Sequence, residues 1–136
     1  MNKRFLALLL AAVLLLVVGC GGSEKILSTE GVPQEVLQSA QYKAALAEET
    51  ATVIAYNYVP LTDSAPVRAA VKKMQAGEDA ELRYYNFYDR NDCQGIDGMR
   101  LTVKDGVAAF QEISLTGYGD TVDWENVLYQ QAGEIR

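Results

Sequence analysis

The sequence predicts an α+β fold, in which a small antiparallel sheet has helices packed on one face. Segments with the apolar spacing of helices and segments that alternate like strands occur in the order helix, strand, helix, three strands, helix, and such segregation is typical of α+β domains. The segment from Lys104 to Val107 contains Asp-Gly, the strongest hairpin signal in the chain. The sequence has no internal repeat of fixed period, so nothing in it points to a repeat architecture.

The first helix is predicted to begin at Pro33, which suits a first helical turn together with Glu35. Apolar residues recur at spacings of three and four up to Ala47, which indicates a helix to about residue 49. The next segment, residues 50–60, is rich in β-branched and aromatic residues and ends at a proline. It is predicted to be a strand, with continuation of the helix as the alternative.

The second helix and the second strand follow. Asp63 or Ser64 can cap the helix, Pro66 suits its first turn, and Gly77 can end it. Four apolar residues with helical spacing define its predicted buried face: Val67, Ala70, Val71 and Met74. Residues 80–88 alternate in the manner of a strand.

The last third of the chain is predicted to contain a loop, a hairpin and a closing helix. Residues 89–98 are polar and rich in turn-forming residues, so we expect a loop there. Asp120 can cap a helix over residues 120–133, and Gly133 can end it. The predicted inward-facing residues of this helix are Val122, Trp124, Val127 and Leu128.

The N-terminus has the pattern of an export signal. Lys3 and Arg4 precede an apolar run over residues 5–18. The run has about 14 residues and as a helix would be about 21 Å long. It is therefore shorter than a membrane-spanning helix, which needs roughly 20 residues. A positive start, an apolar middle and small residues at the end are typical of a secretory signal. An ordinary signal would end in an A-x-A-like site, and the run does not end in one.

The end of the run resembles the lipobox of bacterial lipoproteins. Val17, Val18, Gly19 and Cys20 match its aliphatic, aliphatic, small and cysteine positions. The resemblance implies cleavage before Cys20 by signal peptidase II, diacylglycerol on the thiol and usually an acyl chain on the amine, and several chains together anchor a protein stably. Because Gly21 stands where an aspartate would retain the protein in the inner membrane, the resemblance implies the outer membrane, facing the periplasm, in a diderm bacterium and the cell membrane otherwise.

The predicted organisation is a signal peptide over residues 1–19, a lipid-attached tether over residues 20–31 and a single domain over residues 32–136. The whole chain has 12 basic and 18 acidic residues, and the signal carries two of the basic ones and none of the acidic ones, so the mature chain has a net charge of about −8. We therefore expect no nucleic-acid partner, and attachment to the membrane through the lipid anchor.

The rare residue types exclude several kinds of chemistry. The chain has no histidine, so it contains neither a Ser-His-Asp nor a Cys-His catalytic site, nor a zinc site that uses imidazole. With Cys20 acylated, only Cys93 remains. We expect Cys93 to be buried, with pairing between two chains as the alternative. No metal is predicted, and no cofactor other than the covalent lipid.

The candidate partner-binding site is the aromatic run of the second strand. Successive side chains of a strand point to opposite faces, so Tyr85 and Phe87 share a face that could be open to solvent. Tyr56 and Tyr58 would extend this patch if their strand were adjacent. A tyrosine suits a binding surface because it combines a large contact area with a polar tip. The alternative is that these rings only stabilise the sheet through cross-strand pairs.

Other patterns carry less information. Residues 89–97 do not match an EF-hand loop, because its ligand and glycine positions cannot be satisfied together, although an irregular calcium site from their aspartates stays possible. Residues 84–135 resemble uncharacterised small domains of bacterial lipoproteins, which share a strand, a cysteine-bearing loop, an Asp-Gly hairpin and a closing helix. That resemblance implies no activity.

The sequence therefore predicts a lipid-anchored, non-enzymatic binding or envelope-assembly accessory module. Its partner would be an envelope protein or, as a second choice, a glycan. One alternative is an inhibitor of a periplasmic enzyme, which would use a protruding loop at residues 89–98. The other is a carboxylate-based hydrolase, which needs two acids across a cleft.

Overall fold

The expected α+β fold is confirmed in the computed structural model, which describes residues 3–4, 26–127 and 130–134. A six-stranded sheet carries helices on both faces. The elements are α1 (Gln34–Leu37), α2 (Ala40–Ala47), β1 (Ala51–Tyr56), β2 (Val59–Pro60), α3 (Ala65–Gln75), β3 (Ala80–Arg90), β4 (Cys93–Lys104), β5 (Val107–Thr116), a 3₁₀ turn (Trp124–Asn126) and β6 (Gln130–Glu134). The strand order is β2-β1-β3-β4-β5-β6.

The sheet is mixed rather than wholly antiparallel, because β1 and β3 run parallel. Their register joins Ala51 to Leu82 and Tyr56 to Phe87. A parallel pair needs a crossover connection, and α3 provides it, since it lies between β2 and β3 in the chain. The other pairs of neighbouring strands in the described sheet are antiparallel.

Two-residue turns close the hairpins of the sheet. Each contains two consecutive residues with positive φ, as a type I′ turn requires. The turns are Asn57–Tyr58, Asn91–Asp92 and Asp105–Gly106. The predicted Asp-Gly hairpin is therefore confirmed. The loop predicted over residues 89–98 is wrong, because only Asn91 and Asp92 lie between β3 and β4, and Asn and Asp tolerate the left-handed conformation that so short a turn needs.

These turns define two ends of the sheet. The Tyr58 end holds the turns that follow β1 and β3. The Val107 end holds the start of β3 and the turn that precedes β5. The exposed side chains of Tyr58 and Val107 therefore lie at opposite ends of the molecule.

The predicted first helix exists but is broken into α1 and α2. The break lies at Ser39, whose extended backbone interrupts the helix and whose hydroxyl accepts a 3.2 Å hydrogen bond from the backbone N–H of Tyr42. Such a side chain at a helix start satisfies a donor that the helix itself leaves unpaired. Helix α2 ends at Ala47, and the following segment forms β1 and β2 as the strand prediction requires.

The second predicted helix and the second predicted strand are confirmed. Pro66 lies in the first turn of α3, and Gly77 adopts a φ of +79° after its end. The four residues predicted to face inward are all buried: Val67, Ala70, Val71 and Met74. The strand extends two residues beyond the prediction, to Arg90.

The closing helix predicted over residues 120–133 is wrong. The chain forms a single 3₁₀ turn, whose N-terminal cap is Asp123 rather than Asp120, and then β6 pairs with β5. Two tertiary effects override the local helical pattern. The ring of Trp124 packs over Gly98, and β5 offers a free edge whose backbone groups gain partners when β6 is added. Of the predicted inward-facing residues, Leu128 lies outside the described residues.

Helices cover both faces of the sheet, whereas one covered face was expected. The α3 face, which carries Leu82 and Leu101, packs against the four buried residues of α3. The α2 face carries Tyr85, Phe87 and Ile96 and packs against α1, α2 and the segment around Trp124. The extra cover comes from the broken first helix and from the segment that was predicted to be helical.

Neither face is covered over its whole length. Helix α3 has 11 residues and so spans about 16 Å, whereas the 11 residues of β3 span about 36 Å. The apolar core of the α3 face lies toward the Val107 end, and the core of the α2 face lies toward the Tyr58 end. Each face therefore keeps one polar half, and the two polar halves are diagonally opposite.

The N-terminal prediction lies almost wholly beyond the described residues, since the predicted signal segment is described only at residues 3–4 and Cys20 is outside. The folded domain starts earlier than the predicted residue 32, because Ile26 pairs with Thr62 and the N–H of Leu27 donates to the carbonyl of Leu61 at 2.8 Å. None of the helices in the described ranges has the length and apolar character needed to span a bilayer.

We predict that Gly95→Ala destabilises the fold by about 1–3 kcal/mol, because an added methyl group overpacks this site. A Cβ at Gly95 would lie 2.5 Å from the carbonyl oxygen of Leu115 and would also clash with the Tyr88 hydroxyl. Gly119→Ala is the matched control, since a Cβ there meets no atom within 4 Å. Urea unfolding of both variants measures the difference, and equal unfolding midpoints would contradict the close packing at Gly95.

Candidate functional site

Two of the four predicted partner-binding residues are core residues. Tyr85 is 1% exposed and Phe87 is fully buried. The Phe87 ring centroid lies 6.2 Å from that of Tyr42 and 6.0 Å from that of Tyr118. These contacts exist because α2 and the C-terminal segment cover this face. The prediction of a solvent-facing patch at Tyr85 and Phe87 is therefore wrong, and both rings stabilise the fold instead.

The other two predicted residues lie at the Tyr58 end. Tyr56 is half-buried against the core of the α2 face, whereas Tyr58 is 50% exposed in its turn. The Arg90 guanidinium carbon lies 4.4 Å from the centroid of the Tyr58 ring. The backbone N–H of Tyr58 donates a 2.8 Å hydrogen bond to the side-chain oxygen of Asn86, which fixes the turn on the sheet.

The expectation of a buried Cys93 is also wrong. Cys93 is the first residue of β4, directly after the Asn91–Asp92 turn, and its side chain is exposed and free. It is exposed because the segment around it is a tight hairpin rather than a loop folded over the domain. The predicted lipid-bearing residue, Cys20, lies outside the described residues.

The polar half of the α2 face contains two acids and two bases in alternation. Glu48 accepts a 3.1 Å hydrogen bond from Arg83, and Arg83 donates another of 3.0 Å to Glu81. Glu81 also accepts from Arg100 at 2.7 Å. These side chains are 17–23% exposed, and ion pairs with such access to water contribute at most about 1 kcal/mol each.

Hydrogen bonds that involve neutral side chains close this chain into a ring. Arg100 donates to the side-chain oxygen of Gln111 at 3.3 Å, and the Gln111 amide donates to the backbone carbonyl of Trp124 at 3.3 Å. The Trp124 indole donates to the Tyr85 hydroxyl at 2.9 Å, and that hydroxyl donates to Glu48 at 2.8 Å. We call these seven residues the polar ring. It ties the 3₁₀ turn and the end of α2 to the sheet.

The electrostatics of the polar ring follow from partial burial. Burial opposes the charged form of Arg83, but Glu48 and Glu81 outweigh this effect and raise the pKa of the guanidinium. Burial raises the pKa of Tyr85 to about 12; the Trp124 hydrogen bond opposes this rise and Glu48 adds to it. At neutral pH both groups therefore keep the protons that the ring uses.

The polar half of the α3 face forms a shallow groove beyond the end of α3. A row of polar side chains crosses the sheet here, because Asn86 lies opposite Asp97 and Asp97 opposite Ser114. The Ser114 hydroxyl donates a hydrogen bond to Asp97. Asp97 and Ser114, together with Glu112, border a cavity of about 460 Å³. We call this cavity, lined by Asp97, Gly98, Glu112, Ile113 and Ser114, the acidic groove.

Two polar atoms beside the acidic groove are buried without a hydrogen-bond partner in the described part of the chain. They are the Tyr84 hydroxyl and the side-chain nitrogen of Asn86. Burial, Tyr58 and Asp97 raise the pKa of Tyr84 to about 12, in that order of size. The floor of this half of the sheet is thus polar and incompletely paired, in contrast to the closed polar ring.

The acidic groove suits recognition of hydroxyl and cationic groups. Carboxylates accept hydrogen bonds from both, and hydrogen bonds to charged groups are about twice as strong as neutral ones. Asp97 is half-buried and Glu112 is exposed, so a partner can reach both without a rearrangement of the fold. Within the described residues, no group of three or more Asp, Glu or Cys side chains is placed to hold a metal ion.

The sequence contains a signal for the acidic groove that its strand pattern alone did not reveal. On the α3 face, β4 changes from Leu101 and Met99 to Asp97, and β5 changes from Phe110 to Glu112. The change on β5 lies one residue pair nearer the Val107 end than the change on β4, since Glu112 lies opposite Met99 and Ser114 lies opposite Asp97. A switch from apolar to polar on one face, shared by neighbouring strands, marks the place where the covering helix ends.

We predict that Tyr85→Phe destabilises the protein by about 1–3 kcal/mol, because it leaves the buried Trp124 indole N–H without an acceptor. Tyr84→Phe is the matched control on the neighbouring position of β3. Its hydroxyl has no partner in the described residues, so its removal should cost nothing or stabilise slightly. Urea unfolding compares the two, and an equal loss in both variants would contradict the closed polar ring.

The same tyrosines predict a loss of stability in alkali. In the folded state their pKa is about 12, whereas in the unfolded chain it is about 10. The folded state holds these protons more tightly, so their contribution is complete below pH of about 10 and is lost as the pH rises toward about 12. Urea midpoints over this range, with tyrosinate absorbance, measure the effect. A midpoint that is constant up to pH of about 12 would contradict the burial of both hydroxyl groups.

No protein-family model, curated protein or solved structure matches this chain. The proposal of a function therefore rests on the acidic groove, the polar ring and the signal-like pattern of the N-terminal sequence.

Proposed function

We propose that the chain is a cell-envelope lipoprotein, held by lipid on Cys20, whose domain binds an envelope protein without catalysing a reaction. The anchor is supported by the basic start, the short apolar run and the lipobox-like residues before Cys20. In a diderm bacterium the protein would lie on the periplasmic side of the outer membrane. The expected role is that of an accessory in envelope assembly.

The observation that carries the binding role is the acidic groove. Its half-buried and exposed carboxylates, Asp97 and Glu112, stand on a sheet face that α3 leaves uncovered. The groove is too open to sequester a small substrate, but an open polar face can receive a segment of another protein. The complementary partner presents lysine, arginine or hydroxyl side chains, and its binding weakens as salt increases.

The two alternatives find less support in this geometry. An inhibitor would need a protruding loop, and residues 89–98 form a tight hairpin instead. A hydrolase could use Asp97 and Glu112, which are diagonal neighbours on one face of the sheet. However, the two acids of such an enzyme lie across a cleft that holds the sugar, whereas Glu112 is exposed on an open sheet face. Binding is the function that this groove supports best.

Site-specific photo-crosslinking in living cells tests the proposal. A photoreactive residue at Ser114 should crosslink one envelope protein, whereas the same residue at Lys73, exposed on α3, should not. Combined Asp97→Asn and Glu112→Gln should lower the crosslinked yield about tenfold or more, since hydrogen bonds to charged groups are worth about 1.5–3 kcal/mol. Glu78→Gln, a matched change at an exposed acid outside the groove, should leave the yield unchanged.

The anchor is tested in the same cells. Cys20→Ser should abolish incorporation of fatty acid into the protein and, because it also blocks cleavage before residue 20, should leave residues 1–19 attached, which a shift to higher mass on a gel would detect. Equal crosslinking at Ser114 and Lys73, or a yield that does not depend on the two carboxylates, would contradict the binding role of the groove.

A further inference from the structure

Exposed apolar side chains in the described part of the chain are concentrated at one edge of the sheet. Ile26 and Leu27 are each 41% exposed, Tyr58 is 50% exposed and Val59 is 64% exposed. The remaining exposed large apolar residue of the described ranges, Val107, lies at the opposite end. Most exposed apolar side chains therefore lie at the edge formed by β2 and by residues 26–27, which pair with the chain just after β2.

The four side chains lie close together because of how the chain pairs there. Val59 lies opposite Tyr56 in β2, the outermost named strand. Two residues farther along, Leu61 accepts the hydrogen bond of Leu27, and Ile26 pairs with Thr62. Ile26 and Val59 are thus separated by about 10 Å along the edge. We call the surface formed by Ile26, Leu27, Tyr58 and Val59 the apolar edge.

The apolar edge is also where the chain leaves for its proposed anchor. Ile26 lies six positions after Cys20, and a chain of that length spans at most about 20 Å when fully extended. Lipid on Cys20 therefore keeps Ile26 within about 20 Å of the bilayer surface, whatever path the connecting residues take. No other described edge of the sheet is held so close.

We infer that the apolar edge rests on the phospholipid surface and orients the domain on the membrane. This inference depends on the lipid anchor of the proposed function. Tyrosine favours the membrane–water interface, where its ring is shielded and its hydroxyl stays wet. Arg90, stacked on Tyr58, supplies a guanidinium at the level of the lipid phosphates. The backbone groups of an open sheet edge exclude deeper burial, because hydrocarbon cannot satisfy them.

This orientation leaves the acidic groove accessible. The groove lies on β4 and β5, three to four strands from β2, which corresponds to about 14–19 Å. The apolar edge faces lipid while the carboxylates of the groove face the aqueous side. A protein partner can then bind the groove without competing with the membrane.

The test uses the full-length protein acylated in cells and carrying Cys93→Ser, so that an acylated Cys20 leaves no free thiol. A single cysteine is introduced as Val59→Cys or, as the matched control, Val107→Cys, and is labelled with a fluorescent probe. These valines are both exposed and lie about 30 Å apart across the sheet. Each protein is reconstituted into phosphatidylcholine vesicles in which the acyl chains are brominated near the headgroup, and quenching of the probe is measured.

We expect the probe at position 59 to lose roughly half of its emission and the probe at position 107 to lose almost none. The distances of the two probes from the bilayer surface differ by more than the thickness of one leaflet, which is about 15 Å. Equal quenching at both positions overturns the inference while the anchor stands. If the brominated lipid does not quench the probe at position 59 and aqueous iodide cannot reach it, a protein covers the apolar edge. This result also overturns the inference. Failure of the acylated protein to float with vesicles overturns the anchor and the inference together.

Discussion

The mismatch between long strands and short helices is the constraint on which the rest of this structure depends. Strands of 10–12 residues form the centre of the sheet, and the 11-residue α3 covers about half of their length. On the α2 face, the segments α1, α2 and the chain around Trp124 cover the other half of the strands. The two apolar cores are therefore offset along the sheet, and each face must end in polar residues where its cover stops.

The strand β3 shows how this constraint places neighbouring residues in different roles. Tyr84 and Tyr85 are adjacent and both are buried, but they point to opposite faces. Tyr85 joins the polar ring through Trp124 and Glu48, whereas the Tyr84 hydroxyl reaches no partner in the described residues. The alternation of the strand was predictable from the sequence. The sequence did not predict which face of the strand would be covered, because this depends on where distant helices pack.

Local signals explain what the sequence could predict. The Asp-Gly hairpin, the helix that stops before Gly77 and the strand β3 each depend on a few neighbouring residues, and all three are present. The predictions that were wrong concern residues whose structure depends on contacts with residues far away in the sequence. Trp124 is fixed by Gly98, about 26 positions earlier, so the helical pattern around it is overridden. The exposure of Cys93 follows from the pairing of β3 with β4 across a two-residue turn, which composition alone made look like a loop.

The two polar halves differ in how their charges are balanced, and this difference decides which of them can bind a partner. In the polar ring two acids face two bases, and the hydrogen bonds close on themselves, so a ligand would have to break existing pairs. The lining of the acidic groove in the described residues includes two carboxylates and no basic side chain. Attraction toward a cationic or hydroxyl-bearing partner is therefore not offset by a loss of internal ion pairs. The polar ring ties the elements of the fold to one another, whereas the carboxylates of the acidic groove are the groups that the proposed partner would meet.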